Sequence, residues 1–159
     1  MNNKNIYRAK NLNNDKWIEG YYCKIVNSMS GFLEDNIACP SNVAPNGCMF
    51  FRVKSSTVCQ YTGLPAYWHD FENEPQECDV WEHDILEVRY GNKNVLAELK
   101  YENGVYILTS EEFEDTYLPL SDFISSDEDY WIDAKVLGNI FDNPELLQRK
   151  DKEDMEEER

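Results

Sequence analysis

The sequence is poor in basic side chains and in histidine. Its 159 residues include 15 Lys or Arg and 2 His against 31 Asp or Glu, which gives a formal net charge of −16. The deficit is uneven, because residues 1–60 hold seven bases and four acids (+3) whereas residues 61–159 hold eight bases and 27 acids (−19). Phosphate contact needs clustered Lys and Arg, so the composition argues against binding of duplex nucleic acid.

Long apolar runs are also missing. No stretch of about 18 apolar residues occurs, which excludes a transmembrane helix from the pattern. The first five residues, Met1-Asn2-Asn3-Lys4-Asn5, are polar and lack the apolar centre of a secretory signal. The sequence therefore predicts a cytoplasmic protein that has no membrane partner.

The five cysteines form no Cys-x-x-Cys pair, which removes the usual zinc-knuckle and thioredoxin patterns. Their odd number and the reducing compartment argue against a disulfide framework. They are Cys23, Cys39, Cys48, Cys59 and Cys78, and most are expected to be small buried side chains. The chain also lacks a Gly-rich phosphate loop and a G-x-S-x-G motif, so no common catalytic signature is present.

What the sequence does contain is strand-forming alternation. Ile6–Lys10 and Trp17–Val26 alternate around a polar turn and predict an N-terminal hairpin. Three further strands between residues 84 and 108 form a predicted meander, whose second turn carries the hairpin signal Asn103-Gly104. The pattern predicts a mainly β fold in which the meander forms a small SH3-like barrel or a twisted sheet, with α+β as the alternative.

Proline positions and the charged C-terminal residues predict where the regular elements and the domain end. Pro40 and Pro45 argue against a continuous element within residues 27–48. Short helical turns are predicted near residues 65–71 and 143–150, where Pro suits a first turn. We expect one domain over residues 1–147 and a charged, flexible, acidic tail over residues 148–159.

Two sequence blocks carry a family resemblance. The first is Gln60-Tyr61-Thr62-Gly63-Leu64, and the second is Gly138-Asn139-Ile140-Phe141-Asp142-Asn143-Pro144-Glu145-Leu146-Leu147. Between them, Glu82-His83-Asp84-Ile85 stands where an "EGDI" element is expected. In this order the blocks resemble the YopX family of phage and prophage proteins. That resemblance implies a self-assembling protein of the bacterial host cytoplasm, with no general enzymatic activity and no cofactor.

The contact residues predicted for a ligand or a neighbouring subunit follow from the first block and from nearby anchors. They are Arg52, Gln60, Tyr61, Thr62, Gly63, Trp68 and Trp81. Trp, Tyr and Arg are enriched at binding hot spots, which favours this function. The competing interpretation is structural: Tyr61 packs in the core, Gln60 and Thr62 pair with backbone groups, and Gly63 makes a turn.

Three weaker candidates exist for a metal-binding or catalytic site. His69, Cys78 and His83, with Asp70 and Asp84, are the candidate metal ligands, but their spacing fits no standard zinc pattern, and we expect no bound zinc. Glu82 and Asp84 alternate along a predicted strand, so they would share one face and could hold Mg²⁺ or act as acid and base. Cys59 could act as a nucleophile with His69 or His83, although its neighbours predict burial.

The sequence thus predicts a non-catalytic phage or prophage accessory protein that forms a homo-oligomer and acts by binding, with a host or phage protein as a further partner. One alternative is a counter-defence protein. As an acidic nucleic-acid mimic it would display the acids of Glu111–Asp129 along one face. As a nucleotide trap it would need a pocket with Lys or Arg for phosphate and an aromatic ring for the base. The other alternative is a metal-dependent enzyme, in which His69, Cys78 or His83 would converge.

Overall fold

A computed structural model of the chain describes residues 6–68, 76–126 and 129–148, and its regular structure is mainly β, as predicted. The chain divides into two compact units, residues 1–61 and 62–159, which are described separately below. The strands are β1 (Tyr7–Lys10), β2 (Trp17–Val26), β3 (Leu33–Pro40), β4 (Cys48–Arg52), β5 (Cys59–Trp68), β6 (Gln76–Trp81), β7 (Asp84–Tyr90), β8 (Lys93–Glu102), β9 (Val105–Thr109), β10 (Tyr117–Pro119), β11 (Ile124–Ser126), β12 (Tyr130–Asp133) and β13 (Lys135–Asn139).

The first unit is an antiparallel sheet in the order β5-β1-β2-β3-β4. The predicted N-terminal hairpin is confirmed, with Tyr7 paired to Gly20 and Lys10 to Trp17. Alternate residues of the strands point to one side, where Ala9, Ile37 and Val53 form a small buried core. Burial of this apolar stripe holds the sheet together.

The sheet of the first unit curls back towards its own beginning. An isolated bridge pairs Asn11 with Val53, and the Leu12 N–H donates to the Arg52 carbonyl at 2.9 Å. These contacts bring the end of β4 to the end of β1. The inner face therefore becomes concave around the core, and the opposite face of β2–β4 turns outward.

Strand β3 corrects one sequence-based expectation. Residues 33–40 form one continuous strand, whereas Pro40 had argued against a continuous element there. Pro40 is the last residue of β3, and Pro is tolerated at strand ends and edges because its missing N–H removes only a terminal bond. The buried Ile37 and Ala38 supply the apolar contacts that hold the strand in the sheet.

The second unit contains the predicted meander as part of a five-stranded sheet in the order β10-β9-β8-β7-β13. Within the described ranges this sheet is open, so the twisted-sheet form of the prediction is correct and the SH3-like barrel is not. A large apolar cluster covers its inner face, and its buried members include Leu86, Val88, Leu99 and Leu108. The meander is the scaffold on which the site residues of this unit stand.

The second half of β5 also belongs to the second unit. Ala66 and Tyr67 pair in parallel with Ile132 and Asp133 of β12, and β6 pairs with β5 as well. The helical turn predicted at residues 65–71 is therefore wrong for residues 65–68, which are strand, while residues 69–71 lie outside the described residues. Ala66 is fully buried in the core cluster, and this tertiary contact outweighs the helix-start preference of Pro65.

The C-terminal block ends in a short helical turn at residues 145–148, close to the predicted position. The predicted flexible tail lies, apart from Gln148, outside the described residues, and the single domain over 1–147 stays a prediction. Two short 3₁₀ helices, Ser55–Thr57 and Leu120–Phe123, complete the regular structure of the described chain. No helix in those ranges has the length and apolarity that crossing a membrane requires.

Candidate functional site

The first half of the Gln-Tyr-Thr-Gly-Leu block lies in the first unit. Gln60 pairs with Tyr7 across β5 and β1, and the Tyr61 N–H donates to the Ile6 carbonyl at 2.9 Å. Both side chains are half-buried, so Tyr61 is not the fully buried core residue that the structural interpretation expected. Their backbones extend the sheet at its β5 edge.

The second half of the block shapes β5 in the second unit. The Thr62 hydroxyl donates to the Val80 carbonyl at 2.8 Å and accepts from the Leu64 N–H at 3.2 Å. Thr62 thus pairs with backbone groups, as its structural interpretation predicted. Gly63 has φ +81°, a left-handed backbone that favours glycine, yet the strand continues to Trp68 instead of ending in a turn.

The remaining predicted contact residues have different surroundings. Arg52, in the first unit, is exposed and forms a surface ion pair with Glu34 at 3.6 Å. In the second unit, Trp81 is 5% exposed and lies in the core, so its ring is not presented to a partner. Trp68 is half-buried and carries the Arg89 guanidinium over its ring at 4.7 Å. Of the Trp, Tyr and Arg anchors, Arg52, Tyr61 and Trp68 therefore keep some surface exposure, whereas Trp81 does not.

Trp81–Asp84 forms a tight turn around a buried carboxylate. The Trp81 N–H donates to the Asp84 carboxylate at 2.8 Å, and Asp84 is 2% exposed. His83 sits in this turn with φ +68°, where the family pattern has glycine. The turn breaks the strand at Glu82, so the expectation that Glu82 and Asp84 share one strand face is wrong, and Asp84 serves the fold.

His83 links this turn to two neighbouring segments. Its N–H donates to the Leu99 carbonyl at 2.7 Å, and its carbonyl accepts from the Ile140 N–H at 3.1 Å. The imidazole Nδ1 lies 3.0 Å from Glu98, and its ring meets Phe141 edge to face at 5.6 Å. His83 therefore joins the Glu82–Ile85 element to the last signature block.

Charge around His83 favours its protonated form. The hydrogen bond to Glu98 raises the pKa of His83 above its usual value, burial opposes this, and Glu82 at 3.8 Å adds to the increase. The Lys100 ammonium acts in the opposite direction. A protonated imidazole between two carboxylates forms an ion pair that ties the turn to β8.

The last block is organised by two asparagines. The Asn139 Oδ1 accepts from the N–H groups of Phe141 at 3.0 Å and Asp142 at 2.9 Å, which fixes the turn after β13. The Asn143 N–H donates to the Asn139 carbonyl at 2.8 Å. A Cβ on Gly138 would overlap the Asn143 amide, so this position accepts only glycine without rearrangement. These contacts give the block a structural role.

The candidate metal ligands do not form a cluster in the described residues. His69 and Asp70 lie outside those residues, Cys78 is exposed on β6, and His83 is engaged by Glu98. Within 6–68, 76–126 and 129–148, no three His, Cys, Asp or Glu side chains are placed to hold an ion. Cys59 is fully buried with its thiol near the Thr57 carbonyl at 3.1 Å, so the expected burial of that residue is confirmed.

The acidic segment wraps the core of the second unit. Phe113 and Leu120 are buried in the apolar cluster, and Phe113 packs against Tyr90 with ring centroids 5.0 Å apart. Glu111, Glu114 and Asp115 are exposed between such anchors. The acids are thus spaced by residues that serve packing, and Asp127 and Glu128 lie outside the described residues.

A surface hollow that the sequence did not predict lies in the second unit. It has a volume of about 300 Å³ and is lined by Ala66, Trp68, Glu77, Cys78, Ala134, Lys135 and Val136. These residues come from β5, β6 and the junction of β12 with β13, which are far apart in sequence. Trp68 is the one predicted contact residue in it. The hollow depends on the small side chains of Ala66 and Ala134, and no local sequence pattern distinguishes these two alanines from others.

Comparison with known proteins assigns this mainly β chain to a family. A family model described as YopX protein matches residues 6–148, nearly the whole chain. The chain belongs to the YopX family. No curated protein and no solved structure matched the sequence.

Proposed function

We propose that this chain is a non-catalytic phage or prophage accessory protein that acts by binding and assembles with copies of itself through its first unit. The observation that carries the proposal is an outward sheet face with exposed aromatic side chains. Directly opposed residues in antiparallel strands share a face, so Tyr21, Ala38 and Phe50 form one row across β2, β3 and β4.

The row is exposed at both ends. Tyr21 and Phe50 are each 51% exposed on either side of the buried Ala38, and Ile25, four residues further along β2 on the same face, is 36% exposed. We call these four residues the outer face. Aromatic side chains in this state are typical of protein–protein contacts, since their burial removes large apolar areas from water.

The tip of the β2–β3 hairpin adds a second apolar surface in the same unit. Val26, Met29, Phe32 and Leu33 are all more than half exposed, and Met29 reaches 96%. Such a density of exposed large side chains exceeds the scattered singles of an ordinary soluble surface. It supports a surface that is covered when the protein is assembled.

The occupant we favour is a second copy paired along β4. Within the described residues the outer edge of β4 is occupied at its Arg52 end, where the Leu12 N–H donates to the Arg52 carbonyl, and no strand pairs with residues 48–51 on that edge. Edge strands readily accept another strand. An antiparallel pair of β4 strands centred on Phe50 would place Met49 opposite the second copy's Phe51, so no like charges face each other. Two copies related by a twofold axis satisfy this geometry.

The charge distribution agrees with association through this unit. Residues 1–60 carry a net charge of +3 and residues 61–159 carry −19. Electrostatic repulsion between two copies increases with the net charge of the surfaces that meet. Contact through residues 1–60 therefore meets less repulsion than contact through residues 61–159. Exposed apolar area and low charge coincide in the same unit.

The test is the oligomer mass of Phe50→Asp measured by light scattering. The wild type should give a multiple of 18.7 kDa, and the variant should shift towards a single chain, because two carboxylates would meet at the centre of the strand pair. Tyr130→Asp is the matched control, since Tyr130 is a 54% exposed aromatic residue on β12. It should leave the mass unchanged.

Two results would refute the proposal. One is a wild-type mass near 18.7 kDa at all concentrations up to the solubility limit. The other is an oligomer that persists in Phe50→Asp while circular dichroism shows the fold to be intact. If Tyr130→Asp alone dissociates the protein, the assembly surface lies in the second unit.

A further inference from the structure

We propose that the hollow of the second unit binds a small planar ring that carries a single negative charge, the chemical class of a nucleoside cyclic monophosphate. The site combines an aromatic wall, a floor of small side chains and a lysine at the rim. This goes beyond self-assembly, because all the residues concerned lie in residues 62–159.

The shape of the hollow fits a ring. Ala66 and Ala134 are both 1% exposed, and their short side chains leave room where larger residues would fill the floor. Trp68 and Val136 form apolar walls above them. A volume of about 300 Å³ lies at the lower end of small-molecule sites, which suits one heteroaromatic ring system and a short substituent.

The indole of Trp68 is the stacking surface. Its ring already attracts the Arg89 guanidinium at 4.7 Å, which shows that a cation is stable beside it. Because Arg89 covers one face of the indole, a base would stack on the other face. Aromatic rings bind nucleobases through stacking whatever the base, so this wall selects for a ring and not for one sequence.

The rim has one cation that is not committed to a partner in the described chain, the Lys135 ammonium. Glu87, which is paired with Lys135 in the strand register, accepts from the Asn94 amide at 3.1 Å. Glu77, the carboxylate that lines the hollow, accepts a hydrogen bond from the Tyr67 hydroxyl. Lys135 is exposed, and among residues 6–68, 76–126 and 129–148 its ammonium forms no ion pair, so it can meet an anion.

The ligand should carry little charge in total. Residues 61–159 have a net charge of −19, so the field around the unit opposes polyanions such as triphosphates or nucleic acid. One phosphodiester can be balanced by the Lys135 ammonium at the rim. The charge of the unit therefore restricts the proposed ligand to a ring compound with a single negative group.

Cys78 supplies a direct readout. It lines the hollow and is the exposed cysteine of the chain, whereas Cys23, Cys39 and Cys48 are half-buried and Cys59 is buried. The probe is 3′,5′-cyclic AMP, added to the full-length protein before brief alkylation with a maleimide. Peptide mass spectrometry then gives the alkylation rate of Cys78 and, as internal controls, the rates of the half-buried cysteines.

Two matched compounds separate ring from charge. Adenosine carries the same base without a charge, and dimethyl phosphate carries the single charge of a phosphodiester without a base. Cyclic AMP should protect Cys78 at least threefold at concentrations up to about 10 mM, a range that covers weak sites. Adenosine and dimethyl phosphate should each protect it less.

Variants then test the residues themselves. Lys135→Gln should weaken cyclic AMP protection about tenfold, the effect of losing one ion pair in a partly enclosed site. Lys16→Gln, which removes one exposed lysine from the first unit, should have no effect. Ala134→Leu should abolish protection by filling the floor, and its circular dichroism establishes whether the variant folds.

The outcomes are decisive in both directions. Saturable protection that depends on Lys135 and not on Lys16 supports the proposal. It is overturned if cyclic AMP leaves the alkylation rate of Cys78 unchanged at every concentration. It is also overturned if cyclic AMP protects Cys78 in Lys135→Gln as well as in the wild type. Equal protection by dimethyl phosphate would also overturn it, because the ring would then contribute nothing.

Discussion

The Asn143 side-chain amide occupies the space in which Gly138 would carry a Cβ atom, and its Oδ1 accepts from the Asn139 N–H at 3.3 Å. The Asn143 side chain thus requires glycine at position 138, and the absence of a Cβ there leaves room for the Asn143 amide. The block joins β13 to the turn that precedes the helical residues 145–148. Four predictions follow from this contact and from others like it.

Replacing Gly138 by Ala should lower the free energy of unfolding by about 1–3 kcal/mol, the usual range for forcing an extra methyl group into a packed site. Urea unfolding measures this loss. The control is the same change in an Asn143→Ala background, where the added Cβ has more room and the penalty should shrink. Equal penalties in both backgrounds would show that the overlap with Asn143 is not the cause.

Replacing His83 by Gly should be harmful at low pH and nearly neutral at high pH. The folded-state pKa of His83 is raised above its ordinary value of 6.5, mainly by Glu98. The protonated form therefore stabilises the fold fully below pH 6.5, and this contribution disappears as pH rises through the folded-state pKa. At high pH the variant also loses the strain of a left-handed histidine, about 1 kcal/mol.

Thermal unfolding of His83→Gly and of the wild type across this pH range measures the difference between them. Glu98→Gln is the companion variant, since it keeps the shape of the partner and removes its charge. It should flatten the pH dependence of the wild type. A difference in melting temperature that is the same at every pH would contradict the ion-pair role of His83.

Replacing Tyr22 by Phe should destabilise the first unit by about 1.5–3 kcal/mol, the range for a hydrogen bond to a charged group. The Tyr22 and Ser55 hydroxyls both donate to Asp35. Burial and Asp35 raise the pKa of Tyr22 to about 12, while Ser55 and Tyr22 lower the pKa of Asp35.

The lowered pKa of Asp35 fixes the sign of the pH effect. Its contribution is present above its unfolded value of 3.8 and is lost as pH falls through the lower folded-state pKa. Acid unfolding of Tyr22→Phe should therefore begin at a higher pH than in the wild type. Tyr21→Phe, an exposed ring on the outer face, should unfold like the wild type, and an equal shift in both variants would count against this account.

Replacing Thr62 by Val should cost about 1 kcal/mol, because the hydroxyl bond to the Val80 carbonyl is lost while the side-chain shape is kept. Thr62→Ser retains the hydroxyl and should recover most of that loss. Chemical unfolding compares the two variants. If Thr62→Ser is as unstable as Thr62→Val, the methyl group and not the hydrogen bond matters at this position.

Local patterns predicted much of the fold. Trp17–Val26 was predicted to the residue because its alternation and its flanking polar turns agree. The Asn103-Gly104 hairpin was equally clear, and both residues have the positive φ that this turn requires. These elements depend on neighbours in sequence, so a single chain contains the information that specifies them.

The features that the sequence did not predict depend on contacts between residues far apart in sequence. The strand at residues 65–68 is set by burial of Ala66 beside Ile132, a partner that local propensity cannot include. The hollow likewise arises where Ala66 and Ala134 meet, and neither has a signature. The motif blocks were located correctly, but whether Tyr61 or Trp81 was buried depended on packing that the sequence alone does not reveal.

The bridge between Asn11 and Val53 has a consequence for synthesis on the ribosome. The β1–β2 hairpin can form as soon as both strands emerge, since its partners are close in sequence. Ala9 is not fully covered until Ile37 and then Val53 arrive, and Tyr7 gains its second strand only when Gln60 follows. Completion of the first unit therefore waits for the 34 residues from Val26 to Gln60, and the nascent chain exposes apolar surface during that interval.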